Sequence, residues 1–409
     1  MKLFIYGINY SPELTGIGKY TGEMSEWLAE QKHEVEVFTG KPYYPEWKVH
    51  IDYKKKWWYT EKRNGVLVHR VPMYVPNKLN SLKRMLHEFS FVFNLLPFWF
   101  MSLFQKKADI VIVIAPPFHL GLLPLIYSKI KNTKIIYHIQ DLQVDAAKDL
   151  GMIKNKSLLS VMFGLEKLIM NQANKVSTIS TGMKNKILQK GVNSEKTMLF
   201  PNWVDTNFMK PLSQEESMRF ELNIKQDDFV VMYSGNLGEK QGLENLIYVA
   251  EKFKSEKHVL FLIVGSGGNK ENLIQQTSLL NLSNVKFIPL QAHMKLPSLL
   301  ATANVHLVLQ KAAASDLVMP SKLTGILSVG GYCIVAALQN THLYNVVKLN
   351  NLGDVIEPDN IQLLYDAIKN AIDKDLTPYK IRARDYAISN LNNDKLLSEF
   401  ECEISKIVN

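Results

Sequence analysis

Cysteine is almost missing from this chain: Cys333 and Cys402 are the only two in 409 residues. A pair this sparse cannot build a disulfide framework, and nothing points to an oxidising compartment. The 10 histidines are scattered and no acidic pair follows a predicted strand, so no metal site and no cofactor are expected. The opening MKLFIYGINYSPE has one lysine and too short an apolar run for a secretory leader. It reads as a first β-strand, and a cytoplasmic protein is expected. A long apolar run is lacking as well. The richest stretch, Phe89–Phe104, has 12 apolar residues in 16 and is flanked by Lys83-Arg84 and Lys106-Lys107. As a helix it would extend roughly 24 Å, short of a ~30 Å hydrocarbon core, with Pro97 at its middle. It is read as a buried helix or one lying in a membrane interface, not as a span.

What is present is a globular composition, 46% hydrophobic and 21% charged, long enough for two domains. The net charge of +9 is uneven: residues 1–205 hold 28 Lys/Arg against 17 Asp/Glu, and the rest hold 20 against 22. An anionic partner would therefore meet the first half. No recognition motif for nucleic acid accompanies the charge, so nucleic acid is not expected. An anionic membrane surface or a phosphorylated acceptor suits it better. Lys54-Lys-Lys-Trp-Trp-Tyr59 joins cations to interfacial aromatics in that same half.

Short aliphatic runs alternate with helix-period segments throughout. Strands are predicted at Leu3–Tyr6, Glu34–Phe38, Val66–Val71, Ile110–Ile114, Lys134–His138 and Val176–Ile179. A second series follows at Phe229–Tyr233, Val259–Val264, Val285–Ile288, Val305–Leu309 and Tyr332–Val335. Such alternation predicts parallel sheets of βαβ units, an α/β chain of two Rossmann-like, doubly wound domains facing across a cleft. The divisions expected are 1–205, 206–375 and a helical 376–409 that packs back toward the first domain.

Four stretches carry candidate chemistry. SGNLGEKQGLENL, from Ser234, takes a strand through Gly235, Gly238 and Gly242 into a helix, with Lys240 in the turn. Backbone amides freed by glycine, a helix start and one ammonium would suit a phosphate, although glycines used only for geometry give the same pattern. Gly265-Ser-Gly267-Gly268 follows the next strand. Pro320-Ser321-Lys322 stands at a helix start and adds a hydroxyl and a second ammonium. YHIQDLQVD, from Tyr137, crowds polar groups at a strand's carboxyl end, where His138 would bond a sugar or phosphate oxygen and Asp141 would orient it. A buried, satisfied histidine is the competing reading of His138.

With these placed, the chain resembles the retaining glycosyltransferases of family 4, which adopt the two-Rossmann GT-B fold. FPNWVDTNF (200–208) with Pro211 is similar to that family's interdomain signature, with Trp203 in place of glycine. GINYSPELTGIGKYTGEM, HIQDLQVDA, STIS, PLQ and MPSKLTGIL resemble the colanic-acid-type exopolysaccharide subgroup, usually described as fucosyltransferases. The resemblance implies that Gly16-Ile-Gly18 is the first glycine-rich loop at the donor diphosphate and that His138 lies near the transferred sugar. It places the basic donor-phosphate site at Asn236, Lys240 and Gln241. Here the sequence departs from the family: Asn236 stands for arginine, Gln241 for lysine, and Lys240 lies one residue early. The family's Glu-x7-Glu pair is replaced by Leu317 and Gly325, leaving Asp316, Ser321 and Lys322 as substitutes.

The implied activity is transfer of a sugar, with retention, from a nucleotide-sugar donor to a lipid-linked saccharide acceptor. GDP-fucose is the favoured donor and a UDP-sugar the alternative. A nucleotide-sugar epimerase on the same fold would leave the basic first half unexplained. A dinucleotide oxidoreductase fits poorly, because Gly16-Ile-Gly18 begins too far after its strand and Phe38-Thr-Gly40 lacks the acidic ribose ligand. A non-catalytic binding protein on this fold stays open.

Overall fold

The computed structural model describes residues 1–409 except 14, 78, 79, 150, 154, 313–319, 340 and 409. The chain divides into two compact units, Met1–Pro201 with Leu397–Asn409, and Asn202–Leu396. The C-terminal segment is thus shared: residues 376–396 fold with the second unit and only the last turns join the first.

The first unit holds β1 (Lys2–Tyr6), β2 (Glu34–Gly40), β3 (Tyr59–Arg63), β4 (Val66–Val71), β5 (Ile110–Ala115), β6 (Lys134–Ile139), β7 (Lys175–Thr178) and β8 (Thr197–Leu199). Their order across the sheet is β3-β4-β2-β1-β5-β6-β7-β8. All neighbours are parallel except β3 and β4. β5, IVIVIA, is buried at every residue, as a central parallel strand covered on both faces must be. β3 is a strand the apolar pattern does not reveal, because YTEKR is charged and half exposed. Its signal is Asn64-Gly65, which takes φ of 46° and 82° and turns the chain tightly into β4.

Arg70 fastens this edge. It is wholly buried on β4, donates to Glu61 Oε1 on β3 at 2.6 Å, and reaches the carbonyls of Gly40 and Ser11. The end of the chain also seals this unit: Phe400 stacks on Phe200 at 3.9 Å and Glu401 bonds His33 Nε2 at 2.7 Å.

The second unit holds β9 (Phe229–Ser234), β10 (Val259–Val264), β11 (Val285–Ile288), β12 (Val305–Val308), β13 (Cys333–Ala336) and β14 (Gly353–Ile356). The order is β11-β10-β9-β12-β13-β14, all parallel. Alternate residues feed opposite cores. Val230, Met232, Leu260, Leu262, Cys333 and Val335 enter one cluster with Leu323, Ile326 and Ala383 of two covering helices. Val231, Tyr233, Phe261, Ile263 and Ile334 enter the other with Leu246, Ile247 and Ile368. Every strand predicted from sequence is present; β3, β8 and β14 are additional.

The run of parallel strands switches direction between β1 and β5 in the first sheet and between β9 and β12 in the second. Loops splay apart at such points, and the carboxyl ends there are where an α/β unit holds a ligand.

Replacing Arg70 with Ala would leave Glu61 and two backbone acceptors without their donor. A loss of roughly 3 kcal/mol is expected, measured by urea denaturation of the full chain.

Candidate functional site

In the second unit the turns after β9 and β10 interlock. Gly235 N–H donates to the Val264 carbonyl at 2.9 Å, Leu237 N–H to Ser266 at 2.8 Å and Asn269 N–H to Leu237 at 2.9 Å. The contact is backbone on backbone: a Cβ on Gly265, where φ is +146°, would lie 1.9 Å from the Gly235 oxygen. One on Gly267 would lie 2.4 Å from the Leu237 oxygen. These two glycines are therefore dictated by the neighbouring turn, whatever ligand binds beside them.

Lys322 stands over this junction. It enters from the Ser321–Ser328 helix, which leaves the carboxyl end of β12, and its Nζ sits 3.9 Å from the centre of the Tyr233 ring. A Cβ on Gly235 would be 3.4 Å from that Nζ. The ammonium is shielded from water and has no hydrogen-bond partner among the described residues. Burial pushes it down from 10.5 to about 7. The Tyr233 ring returns part of the lost hydration as a cation–π contact, and the Tyr233 hydroxyl is occupied, donating to the Asn236 carbonyl at 2.8 Å. A desolvated cation facing a turn of backbone amides is a site prepared for an anion.

The other second-unit candidates surround it unequally. Asn236 and Lys240 are exposed, and Gln241 is half-buried. The Asn236 amide and Gln241 Oε1 both crowd the space above Gly238, and Gln241 Oε1 is buried without a partner among the described residues. Ser321 is exposed as the first residue of the helix, after the N-cap Pro320. Asp316 lies outside the described residues. Two contributors escape the sequence reading. Tyr233 looks like one more apolar strand residue, and Lys311, whose stem lies 3.3 Å from a Cβ placed on Gly242, follows β12 without any motif. Position at a strand's carboxyl end is the signal each offers.

In the first unit Gly16 and Asp141 come together, lining a cavity of about 180 Å³ at the carboxyl ends of β1, β2, β5 and β6. Its other walls include Asn9, Tyr43, Trp47, Arg84 and His87. Gly18 has a different reason for its size: a Cβ there would fall 2.4 Å from Glu13 Oε2. That carboxylate is buried, accepts from Asn9 and from the amides of Tyr43 and Tyr44, and is pushed up to about 6 by desolvation. An acid, not an open cradle of amides, occupies the space beside Gly18.

His138 is likewise placed otherwise than as a free sugar ligand. It is 2% exposed, its Nδ1 meets Ser177 Oγ at 2.9 Å and its Nε2 meets Gln140 Nε2 at 3.0 Å. Burial drives it down to about 3, so it is neutral and satisfied within the sheet, and it does not line the cavity. His87 has the better-poised ring. The Tyr74 carbonyl can only accept, so Nδ1 carries the proton, and Nε2 is left as a buried acceptor without a partner among the described residues.

The Ser81–Ser102 helix that carries His87 and Arg84 has an unusual outer face. Leu82, Leu86, Phe89, Phe93 and Phe100 follow helical spacing and are exposed, Phe93 by 71%. Trp57 and Trp58 are exposed beside it, Trp58 donating to the Asn94 carbonyl at 2.8 Å. No helix among the described residues is long and apolar enough to cross a membrane.

Two parallel-sheet α/β units, one with a desolvated lysine over glycine turns at its switch point, are the architecture that the GT-B resemblance implies. Residues 15–203 match the glycosyl transferase 4-like domain and residues 214–389 the glycosyl transferases group 1 family. The chain is 39% identical over 407 residues to the putative colanic acid biosynthesis glycosyl transferase WcaI of Escherichia coli (strain K12), covering 98% of each. Among solved structures it is similar to sucrose-phosphate synthase from Thermosynechococcus elongatus, with a TM-score of 0.76 at 16% identity over 99% of this chain and 98% of that one. It is also similar to HepE of Anabaena in complex with UDP, with a TM-score of 0.74 at 16% identity over 99% and 100%. The chain belongs to the family 4 GT-B glycosyltransferases.

Lys322 makes its site sensitive to pH. Its folded value lies below its unfolded one, so its contribution to stability rises from about pH 7 to 10.5 as the unfolded state alone keeps the proton. A bound diphosphate favours the charged form, so affinity should fall above pH 7, by up to about tenfold per pH unit. Calorimetry with UDP and GDP from pH 7.5 to 9.5, where the ligand's own phosphates are ionised, reads this directly. Lys322→Met should bind at least tenfold more weakly, lose the pH dependence and melt no lower than the native chain. Unchanged affinity would place the phosphate elsewhere.

Proposed function

We propose that this glycosyltransferase moves a sugar from a nucleoside diphosphate donor to a lipid-linked saccharide acceptor in extracellular polysaccharide biosynthesis. The observation that carries the donor side is the ammonium of Lys322 above Gly235, buried and without a hydrogen-bond partner among the described residues. Charge grows on the diphosphate as its bond to the sugar breaks, and a fixed cation in a dry site stabilises that charge more than the ground state. Exposed Lys240 supplies a second charge from the same turn, with Asn236, Gln241 and Ser321 as polar contacts. The proposed reaction needs no metal and no cofactor, because these groups take the cationic role.

Retention follows if the acceptor hydroxyl attacks on the face that the diphosphate leaves, which asks for positioning and no protein nucleophile. Asp141 and the first-unit cavity would orient the acceptor. GDP-fucose is the favoured donor from the subgroup resemblance. A UDP-sugar is the alternative, supported by the complex of the structural neighbour HepE with UDP. The similarity to WcaI, named for colanic acid biosynthesis, supports a polysaccharide pathway.

The donor is tested by incubating the full chain with GDP-fucose and a panel of UDP-sugars and measuring nucleoside diphosphate release. One donor should stand out, and Lys322→Met should lower its kcat by roughly 10²–10³. Isomerised donor without release would indicate an epimerase.

The outer face of the Ser81–Ser102 helix, with Trp57, Trp58 and the lysines at 54, 55 and 56, supports peripheral binding to the cytoplasmic face of an anionic membrane. Each lysine near anionic lipid contributes about 1 kcal/mol, screened by salt. Replacing all three with glutamate should weaken sedimentation with anionic vesicles while donor hydrolysis in solution is kept. Equal binding to neutral and anionic vesicles, or to neither, would remove the electrostatic role.

A further inference from the structure

The end of the second sheet away from Lys322 holds a separate cavity, of about 330 Å³, formed where the chain enters β12 and β13. Its walls are mostly apolar, with Leu300, Ala303, Val329 and Ile381 among them. Two cations also line it, Lys380 and Arg384, four residues apart on the Thr377–Asn390 helix and so on one face of it.

The two cations differ in what they already do. Arg384 is committed: its guanidinium donates to the carbonyls of Met209 at 3.0 Å, Ser328 at 2.7 Å and Thr206 at 2.9 Å, closing off the end of the Ser321–Ser328 helix. Lys380 makes no ion pair among the described residues. Burial disfavours its charge first, the nearby Arg219 cation adds to that, and no carboxylate offsets either. The acid in the lining, Asp385, is exposed and acts on Arg384. His306, also in the wall, is buried and neutral.

An ammonium kept partly out of water, beside a second cation and without a counter-ion, costs stability unless something repays the lost hydration. Here it opens onto a cavity whose walls are mostly apolar, with Arg384 already bonded to three carbonyls and Asp385 exposed at its edge. Apolar walls with a few fixed charges are the pairing that small-molecule sites show. We propose that this cavity binds a small amphipathic anion, a phosphate monoester or carboxylate with a short apolar body, with Lys380 as its counter-ion. The site is distinct from the phosphate turns. The Ser321–Ser328 helix runs from one to the other, with Lys322 at its start and Val329 just past its end.

Titration calorimetry of the full chain with hexyl phosphate, hexanoate, inorganic phosphate and hexanol tests this. Hexyl phosphate or hexanoate should bind saturably, at least tenfold tighter than inorganic phosphate or hexanol, and should not be displaced by saturating UDP or GDP. Lys380→Met should weaken binding at least tenfold with its circular dichroism unchanged. Ala303→Leu, which narrows the cavity and keeps every charge, should do the same and carries the test if the first variant does not fold. No saturable binding, affinity equal to that of hexanol, displacement by a nucleoside diphosphate, or full affinity in both variants would overturn the assignment.

Discussion

The contact between the Lys322 ammonium and the Tyr233 ring organises the second unit's chemistry. It holds a charge in a place where water cannot reach it, at the junction of the two phosphate-type turns. That placement needs the backbone of one turn pressed against the other, which in turn needs glycine at 265 and 267. It also needs a helix that leaves β12 and starts at Ser321. Strand order, turn geometry and the helix start thus converge on one desolvated cation with no hydrogen-bond partner among the described residues. That cation is built into the fold itself, held against a desolvation cost that the rest of the hydrophobic core offsets.

Much of this could be read in the sequence, and the exceptions have physical causes. Buried parallel strands announce themselves because both faces are apolar, so β1, β5, β9 and β10 are unmistakable. β3 carries charge on an edge and hides from any apolar template, although Asn64-Gly65 marks its turn. Lys322 was legible as a basic helix start; its burial was not, since that depends on Tyr233 and Gly235 arriving from another strand. Gly18 and His138 show the reverse. Their residue types fit a ligand site, and the fold uses one to admit the Glu13 carboxylate and the other to bond Ser177 and Gln140. Sequence spacing cannot distinguish a small residue that makes room for a ligand from one that makes room for its own neighbour.

The first unit puts two demands on one helix. Its inner side supplies Phe91 and Leu95 to the core and Arg84 and His87 to the cavity, while its outer stripe is apolar and uncovered. Monomeric proteins rarely expose such a stripe without a use for it. The proposed lipid-linked acceptor would match this division, a polar cavity and an apolar surface on two sides of one helix.

The last dozen residues have a consequence for how the protein is made. Phe400 and Glu401 complete the unit begun by Met1, while the second unit occupies one uninterrupted stretch between. On the ribosome the second unit can finish folding while the first, synthesised earlier, still waits for its closing helix. The earlier-born half is the later to mature. Until Phe400 emerges, the Phe200 ring lacks the aromatic that stacks on it in the folded unit.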